Sequence, residues 1–140
     1  MSVTLAPGAA DNGFASMLAA LIAQNLDAHP ELRALLAHME GRVAIVVEDA
    51  EVSVTLQFDR VGVTLHDGIR GIPDVTIRGS ADDITRTSRI ERLGRLGLPD
   101  PRGMHAREAL RALRDRRLRI YGALGSPLLL ARLTRLLSVD

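Results

Sequence analysis

Two periodicities among the apolar residues divide this chain of 140 residues. The first has helical spacing and follows Asp11 and Asn12, either of which suits a helix cap. Its apolar positions are Phe14, Met17, Leu18, Leu21, Ile22 and Leu26. A shorter helix is predicted to begin at Pro30 and to stop at Gly41, because proline fits the first turn of a helix and glycine its end.

Beyond Gly41 the period changes to two, which is typical of strands with one buried face. Turn signals such as Asp67-Gly68 separate the runs. The predicted strands cover residues 43–47, 52–58, 61–65, 75–77 and 118–120. This pattern predicts an α+β fold, with a five-stranded, mainly antiparallel sheet and helices packed on one face.

The second half of the chain is less regular. Ser80 and Asp83 predict a capped helix start, whereas the glycines and prolines of residues 89–103 favour a packed loop with one helical turn. A helix over 104–114 and a last helix capped by Ser126 follow. We expect a flexible N-terminal tail over residues 1–10 and a single domain over residues 11–140.

Composition narrows the functional classes. With 46% hydrophobic residues the chain can bury a core, and without cysteine it has neither disulfides nor thiol chemistry. No apolar run approaches the roughly 18 residues of a membrane span, and the apolar N-terminal segment lacks a cationic flank. We therefore expect a cytoplasmic protein.

The basic residues are all arginine and are concentrated in one half of the chain. Residues 1–77 hold 4 Arg against 10 acidic residues, and residues 78–140 hold 14 against 7. Arg107, Arg111 and Arg114 share a helix face, which is either a solvated surface or a membrane-docking surface for anionic lipid. With only Phe14, Phe58 and Tyr121 as aromatic residues, we expect no nucleic-acid partner.

Candidate catalytic groups do not cluster along the sequence. The four histidines fit no metal-ligand spacing, and Asp82 and Asp83 are adjacent residues of a helix start, which point in different directions. Gly122 to Gly125 lacks the pattern of a phosphate-binding loop, so it is interpreted as a strand-to-helix corner, with an anionic headgroup at its amides as the alternative. We expect no metal, no cofactor and no enzymatic activity.

The last helix has a leucine arc opposite Arg132 and Arg135. The arc consists of Leu129, Leu130, Leu133, Leu136 and Leu137. Periodicity alone leaves two interpretations open. The helix is either an ordinary part of the core or a lid whose leucines line a cavity.

Several local motifs, in this order, resemble those of the sterol carrier protein family. They are Gly41-Arg42-Val43, Asp74-Val75-Thr76-Ile77, the helix start at Ser80, and Arg117 to Gly122 followed by Leu124, Leu128 and Leu133. The resemblance spans roughly residues 15–137. Within the family, the chain looks more like the bacterial stand-alone members, some of which assist ubiquinone synthesis. It implies a hydrophobic tunnel that carries a fatty acid, an isoprenoid or quinone precursor, or a sterol.

On this resemblance we expect non-catalytic lipid binding, transfer or presentation. The alternative is an accessory subunit that docks a partner enzyme, for example in quinone biosynthesis, through its apolar groove. The predicted lipid-binding residues are Val54, Leu56, Val63, Leu65, Ile77, Leu110, Leu113, Leu129 and Leu133.

Overall fold

A computed structural model describes residues 2–87, 92–93, 98–99, 107, 111, 114, 118–122 and 124–137. Among these residues the helices are α1 (Gly13–Ala28), α2 (Glu31–Leu36), α3 (Ala81–Thr87) and α4 (Pro127–Leu136), with a 3-10 turn at Ala9–Asp11. The strands are β1 (Ser2–Leu5), β2 (Glu40–Val47), β3 (Val52–Asp59), β4 (Gly62–Asp67), β5 (Val75–Gly79), β6 (Arg92–Leu93), β7 (Leu98–Pro99) and β8 (Leu118–Tyr121). No helix in this part of the chain is long and apolar enough to cross a bilayer.

The main sheet has six strands in the order β1-β4-β3-β2-β5-β8, and β6 pairs with β7 separately. It is mixed, since β1 runs parallel to β4 and β2 runs parallel to β5, while the other three pairs are antiparallel. The α+β class is confirmed. The prediction of five mainly antiparallel strands is corrected to six strands in a mixed sheet.

The additional strand comes from the segment predicted as a flexible tail. Ser2–Leu5 pairs in register with residues 62–65 at the free edge of β4. Val3 and Leu5 are partly buried against the core, and Ala6 N donates to Leu65 O at 2.9 Å. Backbone pairing and two apolar side chains therefore order these residues, a long-range effect that four residues of sequence do not reveal.

Cross-strand register separates an apolar face from a polar one. Val43 lies opposite Leu56 on one side and Val75 on the other, and Leu56 lies opposite Leu65. This face forms one buried cluster with apolar residues of α1, α2 and α4. Burial of each such side chain contributes about 1.5–3 kcal/mol, so this layer supplies much of the stabilising free energy.

The polar face is covered in part by the loop between β4 and β5. Thr55, in the middle of β3, is fully buried. Its Oγ1 donates to Gly68 O at 2.8 Å and accepts from Arg70 N at 2.9 Å. These two bonds fold the loop back over a face that alternation alone assigns to solvent.

Asp74 connects β2, β5 and the corner that leads to α4. Its Oδ2 accepts from Arg42 N at 2.9 Å, and its own N donates to Arg42 O at 2.9 Å. Gly122, with a φ of +85°, lies so close that a Cβ there would be 2.0 Å from Asp74 O. The end of β8 can therefore reach this position only with glycine.

Gly122→Ala tests this close approach. The variant combines a left-handed backbone with a clash against main chain, whereas Gly68→Ala has a φ of +74° and no atom within 4 Å of the new Cβ. We expect Gly68→Ala to cost about 1–2 kcal/mol and Gly122→Ala a further ~1–3 kcal/mol in urea unfolding. Equal losses in the two variants would contradict the packing of Gly122 on Asp74.

Candidate functional site

The predicted lipid-binding residues on the strands lie together on the apolar face of the sheet. Exposed fractions are 0% for Val54, Leu56 and Leu65, 2% for Val63 and 7% for Ile77. From α4, Leu129 and Leu133 belong to the same buried cluster. Leu110 and Leu113 lie outside the described residues. An apolar void between these side chains stays a prediction.

Helix α4 is fastened to the domain near its middle and at its C-terminal end. Asn25 Nδ2, buried in α1, donates to Leu136 O at 2.8 Å, and an Arg132 guanidinium nitrogen donates to His38 O at 2.9 Å. Leu133 is 1% exposed and Leu136 is fully buried. The buried side of α4 therefore belongs to the core, and any role as a lid requires it to move away from a packed position.

The start of α4 is built differently from the predicted cap. Ser126 is the N-cap residue, but its side chain makes no capping hydrogen bond, and Pro127 occupies the first turn. Ser126 N instead donates to Gly122 O at 2.9 Å. The glycine corner, and not a side-chain cap, fixes where the helix begins.

A recess of about 290 Å³ lies beside this helix start. Its lining consists of His38, Met39, Glu40, Gly125, Ser126, Pro127, Leu128, Leu129 and Arg132. Met39 and Leu129 also belong to the buried apolar cluster, so the recess adjoins the core directly. We name this recess the α4 pocket. Leu129 is the predicted lipid-binding residue that lines it.

Two leucines near the α4 pocket point away from the core. Leu124 is 100% exposed and Leu128 is 64% exposed. A single exposed apolar side chain is common on protein surfaces. Here, however, Leu128 lines the pocket and Leu124 lies on the corner that precedes it. Sequence pattern does not reveal the α4 pocket, because folding brings the adjacent residues His38 and Met39 to Ser126, which lies far away along the chain.

A second recess, of about 400 Å³, lies on the polar face of the sheet. Its lining consists of Ala6, Pro7, Arg42, Gln57, His66, Asp67, Arg70 and Gly71. His66 Nε2 hydrogen-bonds Gln57 Oε1 at 3.0 Å. Burial lowers the pKa of His66, and the charges of Arg70 and Arg42 lower that pKa further. We name this recess the arginine pocket.

The predicted membrane-docking residues Arg107, Arg111 and Arg114 are helical and exposed. The described part of the chain contains no group of three or more histidine, cysteine or acidic side chains that could hold a metal ion.

Ser126, His38 and Glu40 share the α4 pocket without forming a hydrogen-bonded triad. His38 Nδ1 donates to Ala34 O at 2.8 Å, and Glu40 pairs with Arg60 at 3.0 Å.

The helical layer on one face of a mixed sheet, closed by the leucine helix α4 after a glycine corner, is similar to the folds of two solved structures. A solved structure described as the ubiquinone synthesis protein UbiJ-SCP2 aligns with 91% of this chain and 88% of its own, at a TM-score of 0.57 and 17% identity. A crystal structure of sterol carrier protein 2 aligns with 84% of this chain and 88% of its own, at a TM-score of 0.50 and 15% identity. No protein-family model and no curated protein sequence matches the chain. The chain therefore has a sterol-carrier-protein fold, which confirms the predicted resemblance at the level of structure.

The anchoring of α4 by Asn25 can be tested by hydrogen exchange. Asn25→Ala leaves the buried Leu136 carbonyl without this donor, a loss worth about 1–3 kcal/mol. We expect faster amide exchange at Leu137, whose N–H bonds Leu133 O, and unchanged exchange in β3. Gln24→Ala, at an exposed neighbouring position of α1, is the control. Protection of Leu137 that is the same in both variants would contradict the anchor.

Proposed function

We propose that this protein binds an apolar lipid between the apolar face of the sheet and α4, without catalysis, and transfers or presents it in the cytoplasm. The α4 pocket carries this proposal. It opens at the surface, and two of its lining residues, Met39 and Leu129, continue into the buried cluster. The sterol-carrier-protein fold supports the same function.

The size of the α4 pocket indicates how binding proceeds. Small-molecule sites are typically about 300–1,000 Å³, so a volume of about 290 Å³ is at the lower limit of that range. A long acyl or prenyl chain therefore needs space that the packed leucines of α4 now fill. We infer that α4 shifts outward on binding, with the glycine corner at Gly122 as the hinge.

The ligand class we propose is a fatty acid, an isoprenoid or quinone precursor, or a sterol. An acyl or prenyl chain is linear and can enter beside Leu128 and Leu129 with little displacement. A sterol is rigid and requires a larger movement of α4. The similar structure UbiJ-SCP2 is described as a ubiquinone synthesis protein, which supports testing prenylated quinone precursors here.

The α4 pocket supports binding without catalysis. A nucleophilic serine requires a base within about 2.6–3.2 Å and a group that orients the base. Around Ser126, the nearby His38 is oriented by a backbone carbonyl and Glu40 is paired with an arginine. Among the residues that the structure describes, the pocket thus has no hydrogen-bonded relay that would activate this hydroxyl.

The second candidate function is an accessory subunit that docks a partner enzyme. The exposed Leu124 and Leu128 favour it, because a partner surface would remove both from water. In that case the α4 pocket accepts a side chain of the partner and not a lipid. Lipid uptake by the isolated chain separates the two functions.

Ser126→Trp tests the α4 pocket as the entrance. Ser126 lines the pocket and its side chain makes no capping bond, so a bulky side chain should block entry and leave the fold intact. We expect binding of a fluorescent fatty acid to weaken at least several-fold, with an unchanged melting temperature. Leu124→Trp, at a fully exposed position, is the control and should bind as the unmodified protein does. Equal uptake by both variants would contradict an entrance at this pocket.

We also propose that Arg107, Arg111 and Arg114 guide the protein to anionic membranes. Each arginine near such a surface contributes about 1 kcal/mol, and salt screens exposed charges over about 8 Å at physiological ionic strength. Replacing all three by glutamine should weaken binding to vesicles rich in phosphatidylserine, and added salt should weaken binding of the unmodified protein. The control is Arg33→Gln with Arg60→Gln, at exposed positions elsewhere. Equal binding to neutral and anionic vesicles would exclude these arginines from docking.

A further inference from the structure

The arginine pocket lies on the face of the sheet opposite the apolar cluster, so its chemistry is separate from the proposed lipid site. Register places Arg42 directly opposite Gln57 and Thr55 directly opposite His66. The loop after β4 then adds Arg70 and Gly71 above these side chains. Residues from three strands, from this loop and from the segment after β1 thus converge on one recess.

Arg42 is held in this recess by main chain. Gly71 has a φ of +70°, and a Cβ there would lie 2.9 Å from an Arg42 guanidinium nitrogen. The loop backbone therefore packs directly against the guanidinium of Arg42, a half-buried residue. Asp74 accepts from the backbone N of Arg42, and no ion pair of the Arg42 side chain occurs among the described residues.

Arg70 is positioned by two hydrogen bonds. Its backbone N donates to Thr55 Oγ1 at 2.9 Å, and its Nε donates to Asp67 O at 3.1 Å. Among the described residues, the terminal nitrogens of its guanidinium have no hydrogen-bond partner, and Arg70 lines the recess. In the described part of the chain, Arg70 has no carboxylate partner either.

Asp67 is the acidic residue of the lining and opposes the two arginines. Its Oδ1 accepts from Asn12 Nδ2 at 2.8 Å, a bond that directs this oxygen toward the start of α1. The two guanidinium groups therefore dominate the recess. Burial is the largest cause that lowers the pKa of His66, and the charges of Arg70 and Arg42 lower this pKa further because they disfavour the imidazolium.

We propose that the arginine pocket binds the phosphate group of a small soluble molecule. A guanidinium presents a planar fork of donors that matches phosphate oxygens, and two of them match the charge of about −2 that a phosphate group carries near neutral pH. The volume of about 400 Å³ leaves room for more than the phosphate itself. This inference does not depend on the lipid-binding function.

The test is a titration of the full chain with sodium pyrophosphate at constant ionic strength, followed by amide NMR. We expect saturable shifts at Arg70 and Gly71 that weaken about tenfold or more in Arg42→Gln and in Arg70→Gln, since each removes a charge-assisted hydrogen bond. Arg78→Gln, at a half-buried arginine on the same sheet face outside the pocket, is the control and should leave the affinity unchanged.

Two further measurements distinguish a site from general charge attraction or misfolding. Asp67→Asn keeps an oxygen for Asn12 but removes the opposing charge, so it should tighten pyrophosphate binding. Bound anion should also raise the pKa of His66. Shifts that only follow ionic strength, or that persist in Arg42→Gln, would overturn the proposal. Shifts induced by phosphatidic acid vesicles but not by pyrophosphate would also overturn it, because the source would then be a lipid surface.

Discussion

The contacts of Asp74 are the constraint on which the arrangement of this domain depends. Parallel pairing of β2 with β5 needs a long connection, and nothing local fixes where that connection must end. Asp74 fixes it by bonding the backbone of Arg42 in both directions. The backbone of Asp74 also lies so close to Gly122 that no side chain fits there. A Cβ at Gly41 would likewise lie 2.6 Å from Asp74 Oδ2 and 3.1 Å from Leu129. One junction thus sets the register of the sheet and the starting point of α4.

From this junction the two faces of the sheet acquire different chemistry. Alternation along β2 directs Val43 and Ile45 into the apolar cluster and Arg42 to the opposite side. One face is closed by α1, α2 and α4, and the other by a loop held on Thr55. The buried apolar cluster and the arginine pocket therefore lie on opposite faces of the sheet, and the backbone of β2 and β3 separates them.

Local pattern in the sequence predicts the strands, the apolar face and the buried side of the last helix. The period-two run through Val54 and Leu56 and the helical spacing of Leu129 and Leu133 each reflect burial of one face, which a single segment reveals. Long-range features escape such analysis. The strand Ser2–Leu5 forms because an edge of β4 is free, and the arginine pocket joins Arg42 to Arg70 through folding. The placement of Leu110 and Leu113 lies outside the described residues.

Native mass spectrometry of the purified full chain is the most direct test of whether this protein accommodates an apolar ligand. We expect a bound mass that dissociates on denaturation and that lipid extraction identifies as an acyl, prenyl or sterol compound. Where the protein is isolated empty, incubation with a long-chain fatty acid, a prenylated phenol and a sterol should produce a 1:1 complex with at least one of them. A mass that remains that of the protein alone, before and after these incubations, would show that the chain does not bind an apolar lipid.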